Sequence, residues 1–248
     1  MVKDTLKAYG ELSSLFYDAT EKYASQREVD FFSSFIEQFP GRVLEAMSGS
    51  GRLQIPLMQR GYIVDGVDVS DAMLARCRQR CAGLGLNPEL YEQSLENLML
   101  PYTYSTVIIA VGSFQLIIDP IAMKKALKNL HDHMFVGAHL FIDIFVPDIA
   151  IDQSSETTVH LDRHRALRLT KRHLFDVEKK LAHSFCLYEL MVDGIVVQQE
   201  NELIEVVWYS DIEWQELLLH AGFEVIRIYD ETFRKSEPSR VIHARAIC

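Results

Sequence analysis

Glu45, Gly49 and Gly51 stand at fixed spacing in VLEAMSGSGR, residues 43–52: an apolar run, an acid, then two glycines separated by one serine. A strand that ends in such a turn and feeds a helix offers backbone N–H groups and close backbone approach to a ligand at the sheet's C-terminal edge. Three ligand chemistries compete for it. A phosphate loop needs G-x-x-x-x-G-K-[ST], and Gly51 is followed by Arg52 with no such lysine, so that loop is discarded. The dinucleotide fingerprint G-x-G-x-x-G/A fits Gly49 and Gly51 but needs a small residue where Gln54 stands, which disfavours NAD without removing an NAD-binding oxidoreductase from the alternatives. Glu45 sharpens the choice, because a carboxylate at a strand tip repels a pyrophosphate and suits a ligand that carries positive charge. S-adenosylmethionine, with an ammonium, a sulfonium and no phosphate, is the charged cofactor that fits.

The next apolar run adds a second acid. IVDGVDVSDAML carries Asp68, nineteen positions after Gly49, and an acid about twenty residues beyond the turn can accept both hydroxyl hydrogens of a ribose. The run VLEAMSGSGRLQIPLMQRGYIVDGVDVSDAML resembles motifs I and II of the class I S-adenosylmethionine-dependent methyltransferases, whose pattern E/D-x-G-x-G-x-G is matched at Glu45, Gly49 and Gly51. The likeness covers about two-thirds of the chain and points to the small-molecule branch of that family.

By this resemblance Glu45 engages the amino-acid end of the cofactor, Asp68 the ribose, and Val69 and Leu95 the two faces of the adenine. Met73 closes the adenine pocket, Ser94 lies near the adenine amino edge, and Val111, Gly112 and Ser113 line the cofactor toward its methyl group. The segment FYDATEKYASQREVDFF is similar to the branch's N-terminal lid, which makes Tyr17 and Tyr23 candidate contacts. Two positions depart from the pattern. Met47 occupies the first glycine of the motif, so its backbone is expected at negative φ, with its carbonyl still able to meet the cofactor. Ser94 stands where an acid is common, making that hydrogen bond to adenine neutral rather than charge-assisted.

The implied reaction is methyl transfer to an oxygen, nitrogen or carbon of a small molecule, which depends mainly on in-line placement of the partners. Amines can lose their proton beforehand whereas hydroxyls need a base, for which Tyr17, Glu28, Ser113 and Asp143 are the candidates. The alternative is a non-catalytic protein that binds S-adenosylmethionine or its demethylated product, S-adenosylhomocysteine, and contacts a protein partner, with Met47 as the feature in its favour. Each acid also has an ordinary structural reading: Glu45 could cap the helix that follows it, and Asp68 the helix from Asp71. The basic stretch HLDRHRALRLTKRH, residues 160–173, reads first as the wet face of a hairpin; the sharper reading puts Arg163, Arg165 or Arg168 against an acidic substrate. His131, His133 and His139 are expected at helix ends and in loops.

The elements that must position these residues follow from apolar periodicity. Residues 5–39 carry apolar groups at helical spacing and stop at Pro40-Gly41, predicting two or three helices. From Val43, short apolar runs (RVLEAM, IVDGVDV, PELYEQ, STVIIAVG, HLFIDIFV) alternate with helices expected at 52–60, 71–83 and 121–134. That alternation predicts a doubly wound, mostly parallel sheet. From about Asp152 the pattern changes to two-residue alternation with an Asp193-Gly194 turn, the mark of antiparallel hairpins. Ser210 and Glu213 read as the capping box of a helix that Gly222 stops, and FEVIRIYD and VIHARAIC as two closing strands. By the resemblance to the methyltransferase family, these elements are expected to form one α/β domain of seven strands in a Rossmann-like methyltransferase fold. It comprises a helical lid at 1–40, a cofactor core at 41–147, an antiparallel β cap at 152–209, and a closing helix and strands at 210–248.

Composition is consistent with this. A net charge of −10 works against a nucleic-acid partner, and no apolar run approaches the ~18 residues that span a bilayer. MVKDTLKAYGELSS has lysines but no apolar core, so a cytoplasmic location is expected. Four scattered cysteines point to reduced thiols; Cys77 and Cys81 share a helical spacing, but no second ligand pair accompanies them and no metal is expected. The oligomeric state is not encoded in any of these features.

Overall fold

The computed structural model describes residues 10–147, 154–231, 233 and 239–248. Residues 5–9 of the first predicted helix and 152–153 at the start of the predicted insertion lie outside them. The described residues form two compact units, one drawn from residues 23–146, 209–231, 233 and 239–248, the other from residues 10–22, 147 and 154–208.

The first unit is a seven-stranded sheet. Its strands are β1 (Val43–Ala46), β2 (Val64–Asp68), β3 (Leu90–Glu92), β4 (Tyr104–Ile109), β5 (Met134–Phe145), and β10 (Phe223–Tyr229) and β11 (Ser239–Ala246) from the chain's end. The spatial order is β10-β11-β5-β4-β1-β2-β3, and β11 alone runs antiparallel to its neighbours. Because β1 to β5 are parallel, all five C-terminal tips lie along one edge. The inner strands β1, β2 and β4 and most of β5 are buried, as parallel strands covered by helices are; the helices of this unit are α2 (Gln26–Gln38), α3 (Gln54–Gln59), α4 (Asp71–Gly83), α5 (Pro120–Asp132) and α6 (Asp211–His220).

The helix caps agree with the chemistry of their residues. Ser25 accepts from the Glu28 N–H at 3.2 Å, Ser70 from Met73 N–H at 3.3 Å, and Ser210 and Glu213 form the predicted capping box. Val29, Phe32 and Ile36 of α2 pack on Val43, Ile108 and Phe141, so α2 is part of this core.

Two expectations differ at β5. α5 ends at Asp132 and Met134 already begins the strand, so the strand is longer than the run HLFIDIFV suggested. His139, expected in a loop or helix end, lies inside β5, with Nδ1 2.8 Å from Nε2 of His243 and its ring stacked on Phe39 at 3.5 Å. Burial holds both histidines below the ordinary imidazole pKa, His243 at about 4. A neutral imidazole packs like an aromatic ring, which is why the strand accepts it. His131 and His133 do sit in the last turn and at the C-cap of α5.

The second unit is a four-stranded antiparallel sheet with one helix. Strands β6 (Ser154–His160), β7 (Arg165–Asp176), β8 (Leu181–Val192) and β9 (Ile195–Val207) pair in chain order, and α1 (Glu11–Thr20) lays Leu12 and Phe16 on Leu167, Cys186 and Tyr188. Asp193 and Gly194 both have positive φ, 50° and 81°, as the tight turn between β8 and β9 requires. The Glu200 carboxylate accepts from Leu12 N–H and Ser13 N–H, both at 3.0 Å, and so caps α1 from another strand. Glu200→Ala should cost about 1 kcal/mol, the usual loss of an N-cap, read as a lower unfolding midpoint in urea.

Candidate functional site

The C-terminal edge of the seven-stranded sheet gathers most of the residues singled out in the sequence. Glu45 is at the tip of β1, with Met47, Gly49 and Gly51 in the turn behind it; Asp68 ends β2 and Val69 follows it. Ser94 and Leu95 follow β3, Val111, Gly112 and Ser113 follow β4, and Asp143 is near the end of β5. Tyr23 lies just before α2 in this unit, whereas Tyr17 is on α1 in the other unit.

The turn after β1 has positive φ at every second residue. Met47 has φ 59°, Gly49 55° and Gly51 81°. The expectation of a negative φ at Met47 is therefore overturned. The turn imposes the glycine-like conformation at that position even though the residue is Met, at a cost of roughly 1–2 kcal/mol. Val111, at the tip of β4, is a second such case with φ 63°, followed by Gly112 at 66°. Its N–H is held at 2.9 Å by Asp143 Oδ2, while the Gln115 side chain clamps Phe145 N–H at 2.5 Å and Phe145 O at 3.1 Å. Strained backbone of this kind persists where surrounding bonds over-determine it, commonly at functional sites.

Asp68 ties two strand tips together. Its Oδ2 accepts from Gly49 N–H at 2.8 Å and its Oδ1 from Ser70 N–H at 2.9 Å. A carboxylate has about four lone-pair positions, so acceptor capacity remains for a hydroxyl-bearing ligand. Burial raises the Asp68 pKa against the opposing effect of the Ser70, Gly49 and Val69 N–H groups. The cap of α4 is Ser70, so Asp68 does not serve the capping role weighed for it.

Glu45 is buried, and burial pushes its pKa up to about 8 despite the positive charge of Arg52 nearby. It accepts the Gln54 N–H in the first turn of α3, as the ordinary reading anticipated, yet its Oε2 has no hydrogen-bond partner. Ser48 Oγ is likewise buried and unpaired, and a Cβ built on Gly49 meets nothing within 4 Å. A buried carboxyl oxygen and a buried hydroxyl left without partners at a strand tip are groups that a cationic ligand with N–H donors completes. The residues present fit a ligand of that charge.

This burial has a stability consequence with a definite sign. Folded Glu45 keeps its proton up to about pH 8, while the unfolded chain releases it near 4.5. Its favourable contribution is thus complete below pH 4.5 and gone above pH 8. Glu45→Gln should raise the melting temperature of the ligand-free protein at pH 7 by about 2–4 °C, a gain on the order of 1 kcal/mol. Differential scanning calorimetry of the two proteins checks it.

The remaining candidates are placed as follows. Met73 and Leu95 are buried, and Val69 is 64% exposed. Ser94 Oγ accepts from Asn97 Nδ2 at 3.1 Å, and Tyr23 carries the Arg80 guanidinium over its ring at 6.0 Å. Glu28 is buried and paired with both terminal nitrogens of Arg52, so it is not poised to take a proton from an acceptor. In the second unit Arg165 pairs with Asp162 at 2.7 Å, Arg168 with Glu189 at 2.5 Å, and Arg163 is exposed in the turn between β6 and β7. Two of the three arginines are thus already neutralised within their own hairpin.

Arg52 and Arg80 were missed from sequence. Arg80 donates to Ser50 O at 3.2 Å and to Ser50 Oγ at 3.1 Å, bracing the glycine turn from α4. The only sequence signal for either is a basic residue in or facing the motif, which surface arginines share.

Comparison with known proteins bears on this geometry. Residues 43–137 match the family model of a methyltransferase domain. A provisionally named methyltransferase of Geobacillus sp. is 19% identical over 213 residues, 86% of this chain and 84% of that one. Among solved structures, the sugar N-methyltransferase KedS8 from Streptoalloteichus superposes with a TM-score of 0.79 at 17% identity, covering 100% of this chain and 99% of that one. The amino pentose methyltransferase CalS10 from Micromonospora echinaspora, solved with S-adenosylmethionine bound, gives 0.75 at 15% identity over 97% and 99%. At such identities the likeness establishes a common fold. No helix among the described residues is long and apolar enough to cross a membrane.

Proposed function

We propose that this chain, a class I S-adenosylmethionine-dependent methyltransferase by its fold and by its domain at residues 43–137, methylates a nucleophilic atom of a small molecule, with an amine of a sugar as the first acceptor class to test. The cofactor is S-adenosylmethionine, which when bound supplies a methyl group on a cationic sulfur. The observation that carries the reading is the buried Glu45 carboxyl with one unpaired oxygen, beside the left-handed Gly49 and Gly51 and facing a turn that Asp68 holds.

In this reading Glu45 takes the cofactor's ammonium end, Ser48 and the backbone of Met47 and Gly49 its amino-acid portion, and Asp68 its ribose hydroxyls. Val69, Met73, Ser94 and Leu95 hold the adenine, and Val111, Gly112 and Ser113 face the reacting end. Tyr17 and Tyr23 remain candidate contacts, and Ser113, Asp143 and Tyr17 candidate bases. An amine acceptor that sheds its proton before reaction needs no base, so catalysis reduces to excluding water and aligning nucleophile with methyl. The amine class is supported by two relatives of the same fold whose names describe methylation of sugars, one of them specifically on nitrogen.

The test is transfer of labelled methyl from S-adenosylmethionine to a panel of amino sugars and other small amines, phenols and carboxylates. Label in any of them, with matching release of S-adenosylhomocysteine, supports the proposal. Tight cofactor binding with no label in any acceptor contradicts it.

A further inference from the structure

Three buried ionisable side chains lie in and around the glycine turn. Glu28 is 1% exposed, Glu45 3% and Arg52 4%. Arg52 gives Nη1 to Glu28 Oε2 at 2.8 Å and Nη2 to Glu28 Oε1, a two-point fork that fixes the guanidinium plane. Glu45, whose protonation is sensitive to both, receives no hydrogen bond from either, and its Oε2 stays without a partner. A buried guanidinium near a buried, partly unpaired carboxyl ought to bond to it, because leaving such an acceptor unmade is expensive. The guanidinium is instead engaged by Glu28.

That engagement is set by local structure. Ser25 caps α2 and accepts from Glu28 N–H at 3.2 Å, which places Glu28 in the first turn, while Ala24 N–H donates to Arg52 O at 2.9 Å and locks the two segments together. A side chain so placed presents its carboxylate to Arg52 before any ligand arrives.

We propose that Glu28 is a positioning residue for cofactor binding: it holds the Arg52 guanidinium away from Glu45, so that the Glu45 carboxyl is left for the cationic end of the cofactor. The inference rests on the reading of the site given above. Selectivity for a cation is achieved here by sequestering the protein's own competing cation. The groups acting on or through Glu45 are Arg52, Glu28, Asp68 and the Cys77 thiol, and burial raises the Cys77 pKa, so that thiol stays neutral.

The experiment is calorimetric titration of the full chain with S-adenosylmethionine at pH 7, in two buffers of different ionisation enthalpy so that protons released on binding are counted. Wild type should bind and release a proton as Glu45 ionises. Glu28→Gln should weaken binding by about tenfold or more and abolish the proton release, because Arg52 then turns to Glu45 and ionises it beforehand. The double variant Glu28→Gln/Arg52→Gln, which removes the competing cation as well, should regain affinity to within about threefold of wild type and regain the proton release.

A purely structural role predicts the opposite order, with the double variant as weak as the single or weaker, and that result overturns the proposal. So does a Glu28→Gln protein that binds and releases protons like wild type. Should Glu28→Gln alone fail to fold, the double variant decides by itself: binding with proton release supports the proposal, and loss of either overturns it. A wild type that gives no heat overturns the cofactor reading and this inference together, whereas normal wild-type binding with unaltered variants overturns this inference alone.

Discussion

Asp68→Ala should reduce S-adenosylmethionine affinity by about a hundredfold or more, roughly 2.8 kcal/mol of binding energy. The size comes from two losses that add. The carboxylate that would meet the ribose is gone, and so is the acceptor for Gly49 N–H at 2.8 Å and Ser70 N–H at 2.9 Å, so the β1 turn and the start of α4 lose their common anchor. Each buried donor left unmade costs about 1–3 kcal/mol, and a loosened turn must be reordered when the cofactor binds. Asp68→Asn separates the two losses, because its single carbonyl oxygen can serve one N–H but not both, and should fall between wild type and Ala. Isothermal titration of the three proteins reads the series; equal affinities would show that Asp68 neither holds the turn nor meets the ligand.

Gly51→Ala should be the most destabilising single methyl in the site. The residue has φ 81°, and a Cβ there would stand 2.6 Å from Cys77 Sγ and 3.1 Å from Cδ1 and Cγ1 of Ile55. Both neighbours belong to a buried cluster with Cys81, so neither can move aside without opening packed core. Left-handed strain of about 1–2 kcal/mol and overpacking of 1–3 kcal/mol point to a loss of about 3 kcal/mol, visible as a shifted denaturant midpoint at unchanged slope. Gly49→Ala is the contrast. Its φ is 55° but a Cβ meets nothing within 4 Å, so it should cost only the strain in stability while intruding on the space assigned to the cofactor. A Gly49→Ala protein that is nearly as stable as wild type but binds poorly would locate the ligand in front of that turn.

What the sequence disclosed and what it withheld divide along a physical line. The glycine turn, the acid nineteen residues on, the alternation of strand and helix, the Asp193-Gly194 hairpin and the Ser210–Glu213 box are all local patterns, set by backbone geometry within a few residues or one βαβ unit. The left-handed backbone at Met47 is not legible in the residue type, because the turn that contains it and not the side chain dictates its φ. His139 was misplaced because its partners, Phe39 and His243, lie 100 and 104 residues away from it in sequence and make a buried imidazole acceptable. The Glu28–Arg52 pair spans 24 residues, and neither residue is unusual in its own surroundings. The basic run at 160–173 looked available to a substrate because the acids that neutralise Arg168 and Arg165 are Glu189, from the neighbouring strand, and Asp162, whose role only the turn geometry reveals. The two N-terminal helices read as one lid, although α1 belongs to the compact unit of the antiparallel sheet and α2 to that of the seven-stranded sheet.

The central claim is electrostatic: Glu45 is kept protonated by burial until a cation arrives to ionise it. Its most direct test is the pH dependence of S-adenosylmethionine affinity between pH 6 and pH 9, measured on wild type and on Glu45→Gln. Wild-type affinity should rise with pH and level off near pH 8, where the carboxyl ionises unaided, whereas Glu45→Gln should bind more weakly and show no such rise. Affinity that is flat across that range in wild type, or a Glu45→Gln protein that keeps the wild-type profile, would contradict the account.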